Sequence, residues 1–260
     1  MTLRQMIKSA LRFTGLLRPV AHLKQKCADW RLRIQYRMLV AWPSPQAYLR
    51  YFDRKYRSLL KGGIKVFGVD ADRFTSYQRI FRELLGRRQR DFTIIETGCA
   101  FGGGWCHGSS SFLFTEFLNV FGGKLISIDL SPEHMSACRR LVETVRPVSG
   151  RAQFVPMVGD SVSILRTLPD RADFVYLDSW DLERDDPEPS MRHHMAEFKA
   201  AKPIFVRSQD LIVAVDDNLK PLGIGKGKYI LEWAKQTGQN VLLDDYQLVM
   251  RITADSVATL

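Results

Sequence analysis

Two acids at strand ends, joined by a glycine-rich turn and a helix, are the residues of this chain best spaced to do chemistry. The stretch Ile94–Asp129 reads IIETGCAFGGGWCHGSSSFLFTEFLNVFGGKLISID. Ile94 and Ile95 suit a strand covered on both faces, which Glu96 closes. Gly98, Gly102, Gly103 and Gly104 allow the backbone to turn sharply and to approach a ligand. A second strand, Lys124–Asp129, sets Asp129 at its carboxyl end, where open α/β sheets bind nucleotides and an acid can grip two ribose hydroxyls.

The spacing is Gly-x-x-x-Gly-Gly-Gly. It is neither the G-x-G-x-x-G of dinucleotide folds nor a phosphate-binding loop, since no Lys-Ser/Thr follows. A cofactor with ribose and adenine but no phosphate, S-adenosylmethionine, suits it; a tight turn without a ligand is the plain alternative. Three further strand ends carry polar residues: Val158–Ser161 (VGDS), Asp173–Asp181 (DFVYLDSWD) and Leu211–Asn218 (LIVAVDDN).

The elements that must position these residues alternate from Asp91 onward. Strands are expected at Phe92–Glu96, Lys124–Asp129, Gln153–Val158, Asp173–Asp178 and Leu211–Asp216. Helices are expected at about Ser109–Val120, Pro132–Val145, Ser161–Thr167, Met191–Ala201 and Lys228–Lys235, with two closing strands in Gln239–Ile252. Such alternation builds an α/β, Rossmann-like, mostly parallel seven-stranded sheet with helices on both faces. Residues 1–90 are expected to form a basic, mainly helical N-terminal region, and 91–260 the cofactor-binding domain.

With these motifs in place the chain resembles the class I S-adenosylmethionine-dependent methyltransferases, and is similar to the metal-dependent O-methyltransferases of the catechol and caffeoyl-CoA type. The resemblance covers about Asp91–Arg251. It implies that ETGCAFGG, with Glu96, Gly98, Phe101 and Gly102, forms the cofactor loop. Asp129 would hold the ribose, and Asp160 and Ser161 would lie beside the adenine. It also implies that Asp178, Asp217 and Asn218 bind a divalent cation, for which their hard oxygens suit Mg²⁺. The implied activity is methyl transfer to a hydroxyl of a small molecule or sugar. In catechol-type enzymes a lysine three residues past the first metal aspartate serves as base; here that position is Asp181.

Asp216 precedes Asp217 on the same strand, so strand alternation aims it at the opposite face unless a bulge exchanges the two. His193 and His194 could supply a general base, their ordinary pKa lying near 7, or could simply bond the neighbouring loop. Asp181 offers a third carboxylate near the metal or a ligand for substrate. Trp180 could stack on cofactor or acceptor, or only pack. Lys226 and Lys228 of GKGK could hold an anionic group or lie in a solvated loop.

The net charge of +10 is uneven. Residues 1–90 hold 21 Lys/Arg against 5 Asp/Glu, and 91–260 hold 17 against 23. Met1–Val20 carries apolar residues at helical spacing with Arg4, Lys8 and Arg12 on another face. That suits a peripheral contact with an anionic membrane, or packing on the domain or on a partner subunit of a homo-oligomer. Pro43–Lys61 interleaves aromatic and basic residues, but it matches no nucleic-acid motif and its aromatics share a helical face, as a core requires. No apolar run is long enough to span a bilayer, and no secretory signal is evident. Four cysteines without paired spacing point to reduced thiols in a cytoplasmic protein. The competing reading is a catalytically silent scaffold attached through its basic N-terminal region.

Overall fold

The computed structural model describes residues 17–62, 64–87, 90–99, 110–145, 150–208, 210–253 and 255–260. The chain enters through α1 (Leu17–Ala41), α2 (Pro45–Leu60), a two-residue hairpin β1 (Lys65–Val66) and β2 (Val69–Asp70), and α3 (Arg73–Gly86). Ser44 caps α2 by accepting from the Ala47 amide, and Pro45 starts it with a preset φ. Tyr48, Tyr51, Phe52, Tyr56 and Leu60 recur at helical spacing and are all buried, so the aromatics of this segment are core. Most of Met1–Val20 lies outside the described residues.

Alternation then begins with β3 (Phe92–Thr97), α4 (Ser110–Phe121), β4 (Gly123–Asp129), α5 (Pro132–Val145), β5 (Ala152–Val158), α6 (Ser161–Thr167) and β6 (Phe174–Leu177). It continues through α7 (Glu188–Ala200), α8 (Lys202–Ser208), β7 (Asp210–Val215), the short β8 (Asn218–Leu219) and β9 (Ile224–Gly225), α9 (Lys228–Gln236), β10 (Asn240–Asp244) and β11 (Leu248–Thr253). The sheet order is β10-β11-β7-β6-β3-β4-β5. Neighbours pair in parallel except at β7–β11 and β10–β11. This is the mostly parallel seven-stranded sheet expected, with its antiparallel end. One expected helix, Met191–Ala201, instead starts at Glu188 and stops at Ala200, and α8 follows separately. Pro203 explains the break, because its ring and missing N–H would disrupt a continuing helix.

Side-chain alternation divides the core. Ile94, Phe174, Tyr176, Ile212 and Ala214 face a cluster that takes in α1, α2, α3 and α4. Ile95, Val175, Leu177, Leu211, Val213 and Val215 face Leu165, Phe198, Ile204, Phe205, Ile230 and Trp233 on the other side. The N-terminal helices therefore share one apolar layer with the sheet. Glu116 of α4 ties them down, its buried carboxylate accepting from Tyr51 (2.8 Å), Tyr56 (2.6 Å) and Lys55 (2.5 Å). No described helix is long and apolar enough to cross a membrane.

Candidate active site

The chain runs from β3 outward to β5 and then returns to β6 and β7 on the other side, so the order reverses between β3 and β6. A crevice at such a switch point is where open α/β sheets bind ligands. Gly98 leaves β3 with φ +72°. A Cβ there would fall 2.2 Å from the Asp178 carbonyl oxygen, so only glycine lets the two strand ends touch. At the end of β4, Asp129 Oδ2 accepts the Cys99 amide (3.1 Å) and Oδ1 the Ser131 amide (2.8 Å). The acid thus fixes the start of the glycine loop and of α5 together. Oδ1 also lies 3.5 Å from His134 Nδ1, whereas Oδ2 keeps a second lone pair for a further donor.

Glu96 is completely buried and accepts from Ser111 (2.5 Å) and Ser127. Burial pushes its carboxyl up to about 7, against the pull of those serines. Asp160 caps α6, its Oδ2 accepting from the Ser163 amide at 2.8 Å. That is an ordinary capping role, with the exposed residue standing at the edge where the adenine is expected. Phe101 and Gly102 lie outside the described residues.

The histidines part company. His193 Nε2 is 3.0 Å from Ser179 Oγ, 3.4 Å from Ser161 Oγ and 3.5 Å from Glu197 Oε1. Ser179 donates to Glu197 at 2.6 Å, so Nε2 is best assigned as the donor in a His193–Ser179–Glu197 chain. The hydrogen bond to Glu197 raises the His193 pKa, burial opposing it. His194 is wholly buried; its Nδ1 bonds the Ser190 carbonyl at 2.8 Å, and burial pulls its pKa down to about 4. It is neutral and sealed from solvent. Trp180 is half exposed, its ring 5.2 Å from that of His193, and Asp181 is exposed beside it.

The third group gathers at the ends of β6 and β7. Asp178, Asp216 and Asp217 present carboxylate oxygens within 4.8 Å of one another. The expectation that Asp216 points away from Asp217 is corrected here: β7 ends at Val215, and Asp217 adopts φ +49°, so pleated alternation no longer applies. Two cations meet this cluster. Arg73, the first residue of α3, donates to Asp216 (Nη2 to Oδ2, 2.7 Å), Asp217 (3.2 Å) and Tyr246 (Nη2 to Oη, 3.0 Å). Lys226 Nζ lies 2.5 Å from Asp178 Oδ1 and 3.1 Å from Asp217 Oδ2, with only 1% of its side chain exposed. Burial opposes charge on Asp217, but Lys226 and Arg73 outweigh it and hold the carboxyl at about 2. For Lys226 the three aspartates outweigh burial and raise its pKa. Burial pushes Asp178 up despite Lys226. Gln247 donates to Asp216 at 2.7 Å and to Tyr176 at 2.9 Å.

Asn218 does not join the carboxylates through any hydrogen bond identified among the described residues. Its Oδ1 lies over the backbone of the next short strand, 2.6 Å from where a Cβ on Gly225 would stand. Arg73, Glu197 and Ser179 escaped the sequence reading. Lys226 was read as an anion holder or a solvated residue, and its partners are instead aspartates of its own chain. The adjacent Tyr246 and Gln247 of LDDYQ, both reaching this cluster, were the available signal.

No family model and no curated protein matches the chain. Solved structures of similar fold include MycE methyltransferase from the mycinamycin biosynthetic pathway in complex with Mg, SAH and mycinamycin VI, at 15% identity and TM-score 0.47, covering 80% of this chain and 55% of that one. A methyltransferase from Geobacter sulfurreducens is 12% identical with TM-score 0.43, covering 80% and 87%. Magnesium protoporphyrin IX methyltransferase from Synechocystis PCC 6803 with bound SAH is 14% identical with TM-score 0.40, covering 80% and 98%. The fold, with its switch point between β3 and β6 and its antiparallel last hairpin, is the Rossmann-like α/β arrangement expected.

Proposed function

We propose that this protein is an S-adenosylmethionine-dependent O-methyltransferase acting on a hydroxyl of a small molecule or sugar. The observation that carries the reading is Asp129 at the carboxyl end of β4, beside a switch-point turn in which Gly98 presses on Asp178. The donor set fits the cofactor: Asp129 for the ribose hydroxyls, with Asp160 and Ser161 at the next strand end. When bound, the cofactor supplies a sulfonium methyl that an acceptor oxygen can take in one displacement.

What remains for the chain is placement and proton transfer. His193 is the proposed base: with Nε2 committed to Ser179 and Glu197, Nδ1 is the nitrogen that takes up the acceptor's proton. Buried His194 packs behind it, and Asp181 with Trp180 stands where an acceptor would enter. The divalent cation implied by the resemblance fits less well. Asp178 and Asp217 are held by Lys226 and Arg73, which already occupy the oxygens a metal would need. Calorimetry with S-adenosylmethionine and S-adenosylhomocysteine tests the proposal; folded protein that binds neither would end it.

A specific observation also favours peripheral contact with an anionic membrane. Trp30, Ile34, Met38 and Trp42, four residues apart, are 64%, 37%, 56% and 73% exposed on and just past α1. Arg31, Arg33 and Arg37 are exposed among them. An apolar stripe containing indoles and flanked by arginines suits the headgroup region.

A further inference from the structure

We propose that Lys226 is the resident cation of the Asp178–Asp216–Asp217 cluster, holding the ends of β6 and β7 in the place where related sites would carry a divalent ion. The inference rests on the methyltransferase reading for the work it gives the cluster, which is to brace the strand ends beside the cofactor crevice. Lys226 is thereby a positioning residue.

The geometry is that of an occupied site. The ammonium bridges Asp178 Oδ1 and Asp217 Oδ2, the oxygens that a metal would chelate. Mg²⁺ would need those oxygens at about 2.0–2.1 Å, in space that the nitrogen already fills. The lysine is walled in, so it does not reach the cluster from solvent. Its neighbours permit that entry. A Cβ at Gly225 would lie 2.6 Å from Asn218 Oδ1 and 2.8 Å from its Cα; one at Gly227 would lie 3.1 Å from the same oxygen. The Gly-Lys-Gly sequence is therefore a requirement for laying this backbone against Asn218 with the lysine turned inward.

Charge points the same way. Three carboxyl groups face two cations, Arg73 and Lys226, so the set carries at most one negative charge. A divalent ion added to that set would make a buried cluster with a net positive charge and set two cations side by side. Removing the lysine reverses the balance: three carboxylates then face Arg73 alone, a setting that attracts a divalent ion.

Mn²⁺ titration followed by electron paramagnetic resonance tests this on the full chain, with circular dichroism as the fold control. Wild-type protein should leave the free-ion signal undiminished. Lys226→Met, which keeps the length and loses the charge, should bind one Mn²⁺ at least about tenfold more tightly. Tight one-to-one binding by the wild type, displaced by Mg²⁺, would overturn the proposal. So would a folded Lys226→Met variant that binds Mn²⁺ no better than the wild type. If that variant does not fold, the wild-type titration alone decides. Cofactor calorimetry on the same samples separates the two ideas: failure to bind S-adenosylmethionine removes the methyltransferase reading and leaves the Mn²⁺ result standing.

Discussion

Gly98 and Asp178 meet backbone to backbone: a Cβ on the glycine would stand 2.2 Å from the carbonyl oxygen of the aspartate. The contact joins the turn after β3 to the end of β6, the strand end that carries Asp178. Gly98→Ala combines a left-handed backbone with a clash that no rotamer relieves. It should cost about 2–4 kcal/mol and lower Tm by roughly 4–16 °C. Unchanged thermal unfolding would mean that the turn is looser than this contact requires.

Asp129→Ala should weaken S-adenosylmethionine binding by at least about tenfold, since each charge-assisted hydrogen bond contributes roughly 1.5–3 kcal/mol. Because Asp129 also holds the Cys99 and Ser131 amides, Asp129→Asn serves as the milder comparison. Calorimetric affinity equal to wild type in the alanine variant would remove the ribose assignment.

Glu96 predicts a pH dependence of stability. Its folded pKa of about 7 lies above the ordinary 4.5, so the stabilisation is fully present below about 4.5 and lost as pH rises towards 7. The difference corresponds to roughly 3 kcal/mol for this fully buried group. Glu96→Gln cannot ionise, so its urea unfolding should change less between pH 5 and pH 8. Parallel losses in both proteins would refute the assignment.

His193 should titrate above 6.5, and Glu197→Gln should bring its pKa down, because the bond to Glu197 is the main cause of the rise. Proton NMR of the imidazole reads this directly. An unmoved titration curve would separate the two residues and with them the proposed base. His194, neutral by burial, should show no charge change between pH 5 and 8.

Trp30→Ala with Trp42→Ala should reduce binding to phosphatidylserine vesicles by at least about tenfold, and added salt should weaken the wild type. Wild type that ignores such vesicles at low salt would dismiss the membrane contact. A concentration-dependent dimer abolished by the same substitutions would give the stripe to a second copy of the chain.

The sheet was legible because its signals are local. Ile94–Ile95 and Leu211–Val215 carry branched apolar runs, and Pro132–Val145 and Ser161–Thr167 are helices with the expected bounds. The gathering of Asp129, Asp160 and Asp178 at one sheet edge followed, since a residue after a parallel strand must stand at that edge. The charge pairing did not. Arg73 meets Asp216 across 143 residues of chain, and Lys226 meets Asp178 across 48. Nothing in a glycine-flanked lysine distinguishes a solvated loop from a buried ammonium until the partners are seen. Asp216 is hidden for a related reason: pleated alternation ends with the strand at Val215, before either aspartate.

The Glu116 carboxylate that binds Tyr51 and Tyr56 also sets a schedule for synthesis. Tyr51 precedes Glu116 by 65 residues. At 5–20 residues per second, Tyr51 is therefore synthesised roughly 3–13 s before its acidic partner. During that interval an aromatic face of Tyr48, Tyr51, Phe52 and Tyr56 has no sheet to cover it. The nascent chain is most open to aggregation, and to chaperones that hold apolar helices, before the first strand of the sheet has been made.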